Sequence, residues 1–428
     1  MSVALTTLPN GMRVVTHTMP HLETASLGVW VGTGARSELL EQHGISHLLE
    51  HMAFKGTQKR TARQIVEEIE SVGGDLNAAT SLETTAYYAR VLKADISLGI
   101  DLLADILLNS KFDENELARE QEVIIQEIAA ADDSPDDVAY DLAQEAAYPG
   151  HALGRPILGT QKSVRGFGSG DLAAYMDLNY VPGSMVLAAA GAVDHETIVA
   201  QAEDAFGALT RANPEPPETA IYSGGIKRSG RSFEQSHIVM SFEGPSYRDD
   251  AMYTGQILSS MLGGGMSSRL FQQAREARGL CYSIYSYCWG LSDTGLFGIH
   301  AATGGKQMLE LVGVILNELE NLASTTVGSS ELERAKAQLK SGLLMSLESS
   351  GSRAEQLARQ TLVFDAPLEI ESLIEKVEAV DKEAVRELAA RTIVGRNPSV
   401  ATVGPLADPR ALEELIHGQY PSPARAAE

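Results

Sequence analysis

Two cysteines in 428 residues, Cys281 and Cys288, are too few for a disulfide framework and have no companions that would make a cysteine-ligated zinc site. Their expected role is ordinary packing in a reducing compartment. Positive charge is also scarce. The 34 Lys and Arg residues face 57 Asp and Glu residues, a formal net charge of -23 that repels phosphate backbones and anionic membrane surfaces. Nucleic acid and membrane are therefore not expected partners, whereas a basic peptide is. No apolar run reaches membrane-spanning length, and Met1 to Pro20 lacks the basic segment and apolar stretch of an export signal. A cytoplasmic protein is expected. What is present is 44% apolar residues, enough in a chain of this length for two or three domains with a sizeable buried core.

The chain reads as a duplication. The strand-like Ser26 to Val31, followed by a Gly-containing turn and a helix, is repeated about 210 residues later by Ser236 to Ser241 with its own turn and helix. Between the halves, Asn213 to Glu218 is rich in proline and without apolar periodicity, as an extended linker would be. The expected division is residues 1–213, a linker over 214–226, residues 227–420 and a tail over 421–428. Within each half, strand-like runs such as Thr84 to Leu92 alternate with amphipathic helices such as Ala62 to Val72, so each half is expected to be an α+β sandwich of sheet and helices.

The most informative stretch is His47-Leu48-Leu49-Glu50-His51. On a helix His47, Glu50 and His51 share one face, so two imidazoles can ligate one ion while a carboxylate beside it accepts a proton from water. This order inverts the H-E-x-x-H arrangement and is a signature of inverted zinc peptidases. The duplication supplies a control. At the matching offset the second half has Ile257, Ser260 and Met261, so only one half keeps the chemistry. A third ligand should come from another helix. Asp113 with Glu116 forms a capping-box pattern opening a run in which Glu120 and Glu127 fall two turns apart on one face. From periodicity alone these two are either inward, metal-paired carboxylates or a solvated acidic face.

The run His47 to Thr57, HLLEHMAFKGT, together with VIIQEI around Glu127, resembles the inverzincin (pitrilysin-type) zinc peptidases, a family that includes the mitochondrial processing peptidase and its bacterial relatives. The resemblance extends from Thr6 to about Leu406. It implies His47, His51 and Glu127 as ligands of one zinc ion per chain, Glu50 as general base and Glu120 as an acidic residue orienting a ligand. Three ligands leave a coordination position open for water. In the second half, Arg275 and Tyr282 match the family's Arg and Tyr seven apart, which implies that Tyr282 donates to a substrate carbonyl and Arg275 binds peptide backbone. On their own these two read rather as a surface ion pair and a half-buried strand residue.

Substrate residues follow from the same resemblance. Asn77 and Ala78, in a short strand after Gly73-Gly74, match an edge strand to which an extended peptide adds. Phe54 matches the lining of the pocket after the scissile bond, with core packing as the alternative. Asp137 and Asp141 match acids that receive a substrate arginine, although Ser134-Pro135-Asp136-Asp137 is also an ordinary helix start. His43, one turn before His47, is not used by the family, His300 is expected as an inward or interfacial strand residue, and His151 falls in a loop with no assigned role. Leu262 to Ser268 resembles a flexible glycine loop and is not a phosphate loop, because no Lys-Ser/Thr follows. Metal motif and glycine loop in one chain imply a bacterial homodimer. The expected activity is zinc-dependent hydrolysis of short or unfolded, basic or arginine-containing peptides. The rival reading is a catalytically silent structural or peptide-binding subunit of the same fold.

Overall fold

The computed structural model describes residues 2–420, so the expected 421–428 tail lies outside the described residues. The described chain forms two compact α+β units. In the first, β1 (Val3–Thr7), β2 (Arg13–Thr18), β3 (Thr24–Val31), β4 (Asp75–Thr80), β5 (Thr85–Leu92) and β6 (Met185–Gly191) make a sheet of order β1-β2-β6-β3-β5-β4. In the second, β7 (Gly225–Ser229), β8 (Ser236–Glu243), β9 (Cys281–Gly290), β10 (Gly295–Thr303) and β11 (Ser399–Val403) run in the order β7-β11-β8-β10-β9. The second order repeats the first without β1. Each sheet has one parallel pair, β2 with β6 and β7 with β11, and is otherwise antiparallel.

The strands are apolar on both faces because both faces are covered. On β3, Ala25, Leu27, Val29 and Val31 enter the main core of the first unit. Trp30, on the opposite face, joins Val15, Val186, Ala188 and Ala190 beneath Ala354, Leu357 and Ala358 of the Ser350–Phe364 helix. Alanines on both surfaces let that helix lie close to the sheet. In the second unit, Ile238, Met240 and Phe242 of β8 face the core, while the Pro135–Ala147 helix packs on β7, β8 and β11.

Each sheet is therefore covered by a helix from the other half of the sequence. Unit 1 comprises Met1–Ala129, Pro156–Glu218 and Leu344–Glu369, and unit 2 comprises Ala130–Arg155, Thr219–Leu343 and Ile370–Glu428. The contiguous division into 1–213 and 227–420 separates the two sheets but puts both covering helices with the wrong one. Amphipathic periodicity marks the face a helix buries and says nothing of which sheet receives it. Residues 214–218 have no regular structure, and the Glu218 carbonyl accepts from the buried Arg36 guanidinium at 2.8 Å. The expected linker over 214–226 has no regular structure as far as residue 224, its last two residues open β7, and it is anchored at Glu218.

The covering helix of unit 1 is fixed by polar contacts as well as by area. Arg353 is 1% exposed and its Nε donates to Nδ1 of His17 at 2.9 Å, while the Ser350 and Ser26 hydroxyls meet at 2.9 Å. Replacing Arg353 by alanine removes a buried stem and strips His17 of its donor. The expected loss is about 2–4 kcal/mol, read as a lowered thermal midpoint. A change below about 0.5 kcal/mol, typical of a surface site, would contradict this anchoring.

Candidate metal centre

The Ile45–Met52 helix carries the motif, and its start is tightly held. Gly44 precedes it at φ +92°, where a Cβ would meet Leu158 and Gly159 backbone at 2.8–2.9 Å, so only glycine fits. The buried Glu38 accepts from the Gly44 and Ser46 amides at 2.8 and 2.9 Å, satisfying donors that a helix start leaves free. Tyr175 meets the Ser46 hydroxyl at 2.9 Å. Sequence reasoning missed Glu38, because its partners are backbone groups six and eight residues away and no side-chain pattern announces them.

The end of the motif is held by the Glu114–Asp132 helix and by a buried acid. Lys55 pairs with Glu120 at 2.7 Å. Thr57 donates to Asp105 at 2.6 Å and Arg60 does so at 3.0 Å. Burial opposes the Asp105 charge, but hydrogen bonds from Thr57, Arg60 and Asn109 overcome it and hold the carboxyl below its usual range. The trailing residues Lys55 and Thr57 thus fix the exit of the helix.

Between these anchors His47, His51 and Glu127 converge. The His47 and His51 rings lie 4.7 Å apart. Glu127 Oε2 is 3.7 Å from His47 Nε2 and 3.6 Å from His51 Nε2. Those separations are too long for hydrogen bonds. They are close to the roughly 3.3–3.4 Å between two donors on a tetrahedral ion with bonds of about 2.0–2.1 Å. Glu127 Oε2 is also dry and has no hydrogen-bond partner in the structure. A carboxylate oxygen in that state is costly unless a cation faces it. The three side chains therefore fit a single metal ion.

Protonation agrees with that fit. Burial, then repulsion from His51, pushes His47 down to about 4, so its imidazole is neutral at neutral pH. Glu120, 6% exposed, lies 3.0 Å from His51 Nδ1. An Nδ1–H donated there leaves the Nε2 lone pair facing Glu127. Glu120 is buried, whereas Glu127 is half-exposed with only its Oε2 buried and turned to the histidines. Glu50 is half-buried on the same helix face. Its charge adds to burial in raising the Tyr87 and Tyr180 hydroxyls, the latter to about 12, so both stay protonated.

The remaining candidates divide between the units. In unit 1, Asn77 and Ala78 lie on β4, the free edge of the sheet, and β4 packs against the motif helix. Ala78 faces the core, while Asn77 is exposed and its Oδ1 accepts from the Ala78 amide at 2.8 Å. Phe54 is half-buried against the core. In unit 2, Asp137 and Asp141 stand on the Pro135–Ala147 helix, whose Ser134 cap and Pro135 are as expected. Asp141 is solvent-accessible, yet the protein around it removes enough water to push its carboxyl up to about 6, with Asp137 and Asp132 adding repulsion. Arg275 lies in a π-helical turn, Phe271–Glu276. Its guanidinium sits 4.7 Å from the Phe271 and Tyr282 ring centres and donates to the Tyr282 carbonyl at 2.8 Å. Tyr282 is 77% exposed.

Other histidines have local duties. His43 Nε2 bonds the Pro156 carbonyl at 2.7 Å, and His151 Nδ1 caps the turn that begins at Ala152. Both cysteines are free and packed against the second core. The helix equivalent to the motif helix, Met252–Gly263, buries Ile257 and Met261 in that core. At its end, a Cβ on Gly263 would meet the Ser286 backbone at 2.5 Å.

Residues 13–161 match the family described as Insulinase (Peptidase family M16), and residues 167–339 match the Peptidase M16 inactive domain. The chain is 38% identical to a protein of Streptomyces coelicolor named an uncharacterized zinc protease, over 96% of this chain and 91% of the relative. A Bacillus subtilis protein of the same description is also 38% identical, over 93% of this chain and 97% of the relative. A crystal structure of a Helicobacter pylori protease has the same fold, with a TM-score of 0.88 at 21% identity, covering 94% of this chain and 99% of that one. A Pseudomonas fluorescens structure titled as a peptidase M16 inactive domain gives 0.88 at 18% identity, covering 95% and 98%. The half that carries the motif and the duplicate that lacks it thus match the two domains of one family, and the chain belongs to the insulinase, or M16, peptidase family.

Proposed function

We propose that this chain is a zinc-dependent endopeptidase that hydrolyses extended or unfolded, arginine-containing peptides. The observation that carries the reading is the convergence of His47 Nε2, His51 Nε2 and the dry Glu127 Oε2, with Glu50 on the same helix face. Zinc, held by those three residues, would supply Lewis acidity toward a peptide carbonyl and would make a water easier to deprotonate. Glu50 takes the proton from the attacking water and hands it to the leaving amine. Glu120 accepts from His51 Nδ1 and so keeps that ring in its ligating tautomer.

The peptide adds to β4 as a further strand, pairing through the Asn77–Ala78 backbone once Asn77 Oδ1 gives up the Ala78 amide. Phe54 lines the pocket that follows the scissile bond. Asp137 and Asp141 receive a substrate guanidinium, and Arg275 and Tyr282 bind the peptide backbone and the reacting carbonyl. The Arg275 contact with the Tyr282 ring and carbonyl supports treating those two as one device. The reading carries with it one catalytic zinc per chain, a homodimer and a bacterial cytoplasm. The silent-subunit alternative requires a lost ligand or base, and the first half has the full set.

Glu50→Gln is expected to leave zinc content unchanged while lowering kcat on an unstructured arginine-containing peptide about 10²–10⁴-fold. Unimpaired turnover would sink the proposed mechanism. For the arginine subsite the sign follows from Asp141. With its carboxyl near 6, the negative charge is present above that pH and is lost as pH falls through it. The KM for an arginine peptide, taken relative to its citrulline counterpart, should rise as pH falls from above 7 to below 6, and Asp141→Asn should flatten that ratio. Parallel profiles for the two peptides in the unaltered chain would rule Asp141 out as the guanidinium partner.

A further inference from the structure

The second half of the sequence keeps no equivalent of the zinc motif, yet among the described residues unit 2 holds a different cluster of metal-ligating side chains. Asp136, in the first turn of the Pro135–Ala147 helix, meets His237 of β8 and His300 of β10. Asp136 Oδ1 is 2.7 Å from His300 Nε2 and 3.1 Å from His237 Nδ1, and the two nitrogens are 3.4 Å apart. The histidines are 2% and 5% exposed, while the Asp136 side chain is about half exposed.

Strand register explains the pairing. His237 is opposite Ala302 and His300 is opposite Val239, so the two imidazoles are diagonal neighbours on one face of the sheet. Ile238 and Met240, pointing the other way, are in the core. The histidine face is the one covered by the helix that the N-terminal half contributes.

Asp136 Oδ1 lies within hydrogen-bond distance of both imidazole nitrogens and can accept from each. A cation seated among the three donor atoms would take the place of both protons. We infer that His237 Nδ1, His300 Nε2 and Asp136 Oδ1 form a second metal-ion site that clamps the Pro135–Ala147 helix to the sheet of unit 2. Two nitrogens and one oxygen suit a borderline divalent ion such as Zn2+ or Co2+ better than Mg2+ or Ca2+. The 3.4 Å between the nitrogens already equals the roughly 3.3–3.4 Å expected between donors on tetrahedral zinc. To reach that spacing the carboxylate has to withdraw by about 0.6–0.7 Å from His300 and about 0.2–0.3 Å from His237, and a half-exposed side chain on the first turn of a helix has that freedom.

Neighbouring tyrosines hold the His300 ring in place. The His300 ring stacks on Tyr140 with centres 5.7 Å apart and lies 5.0 Å from Tyr285, and the two tyrosine hydroxyls meet at 2.8 Å. His300 Nδ1 is buried without a hydrogen-bond partner. Metal binding at Nε2 places the ring proton on Nδ1, where no acceptor stands, so the ion has to offset one unmade hydrogen bond. Donor convergence, ring positioning and an exposed carboxylate at the mouth together make a site that the family's zinc motif does not mark.

The deciding chain is the double variant His47→Ala with His51→Ala, which removes the first site and leaves the triad intact. After chelation, dialysis against micromolar Zn2+ and desalting, elemental analysis should find one zinc per chain. Zinc should also raise its thermal midpoint. Adding Asp136→Asn and His300→Gln should abolish both the retained zinc and the shift. No retained zinc in the double variant overturns the inference, whether or not the chain is a peptidase. Equal zinc in the quadruple variant overturns it as well.

Discussion

A carboxylate oxygen with neither water nor a donor beside it is the constraint on which unit 1 depends. Glu127 Oε2 faces two imidazole nitrogens at 3.6 and 3.7 Å, too far to bond them and too near to ignore them. Holding that arrangement requires two helices that cannot shift against each other. Glu38 and Gly44 fix the start of one, and the Lys55–Glu120 pair ties its end to the other. His51 is gripped at Nδ1 by Glu120 while its Nε2 faces Glu127, so a single helix sets both the tautomer and the third donor.

Duplication gave the molecule two sheets of one topology, and chemistry has taken different positions on them. In unit 1 two of the donors stand on the helix after the first long strand and the third on the Glu114–Asp132 helix. In unit 2 the equivalent helix buries Ile257 and Met261, and the ionisable cluster lies on the opposite face of the sheet, where Asp136 meets His237 and His300. That face is covered by a helix from the other half of the chain, and so is the corresponding face of unit 1, where Arg353 meets His17. Each exchanged helix carries a polar residue into its sheet, which sets its position more narrowly than apolar area alone would.

Much of this was legible from the sequence. The histidine helix, the two-turn spacing of Glu120 and Glu127, the strand at Asp75–Thr80 and the Ser134 cap are local patterns, and local patterns survive folding. The inward face of Glu127 was not legible from periodicity, because a carboxylate looks solvated until its partners are known; the family resemblance supplied that choice. The helix exchange was invisible for a similar reason, since Ala139 and Ala143 announce a buried stripe without naming the sheet beneath it. Glu38 binds backbone amides, and Asp136 meets histidines more than a hundred residues away, so neither leaves a short-range signature. His300, expected only as an inward or interfacial strand residue, is inward and in company.

The central claim is that His47, His51 and Glu127 are the donors to one zinc ion. Anomalous diffraction from zinc-loaded crystals, recorded on both sides of the zinc absorption edge, tests it most directly. The account predicts a peak within about 2.0–2.2 Å of His47 Nε2, His51 Nε2 and a Glu127 carboxylate oxygen. Zinc-loaded crystals with no peak at that point would contradict it.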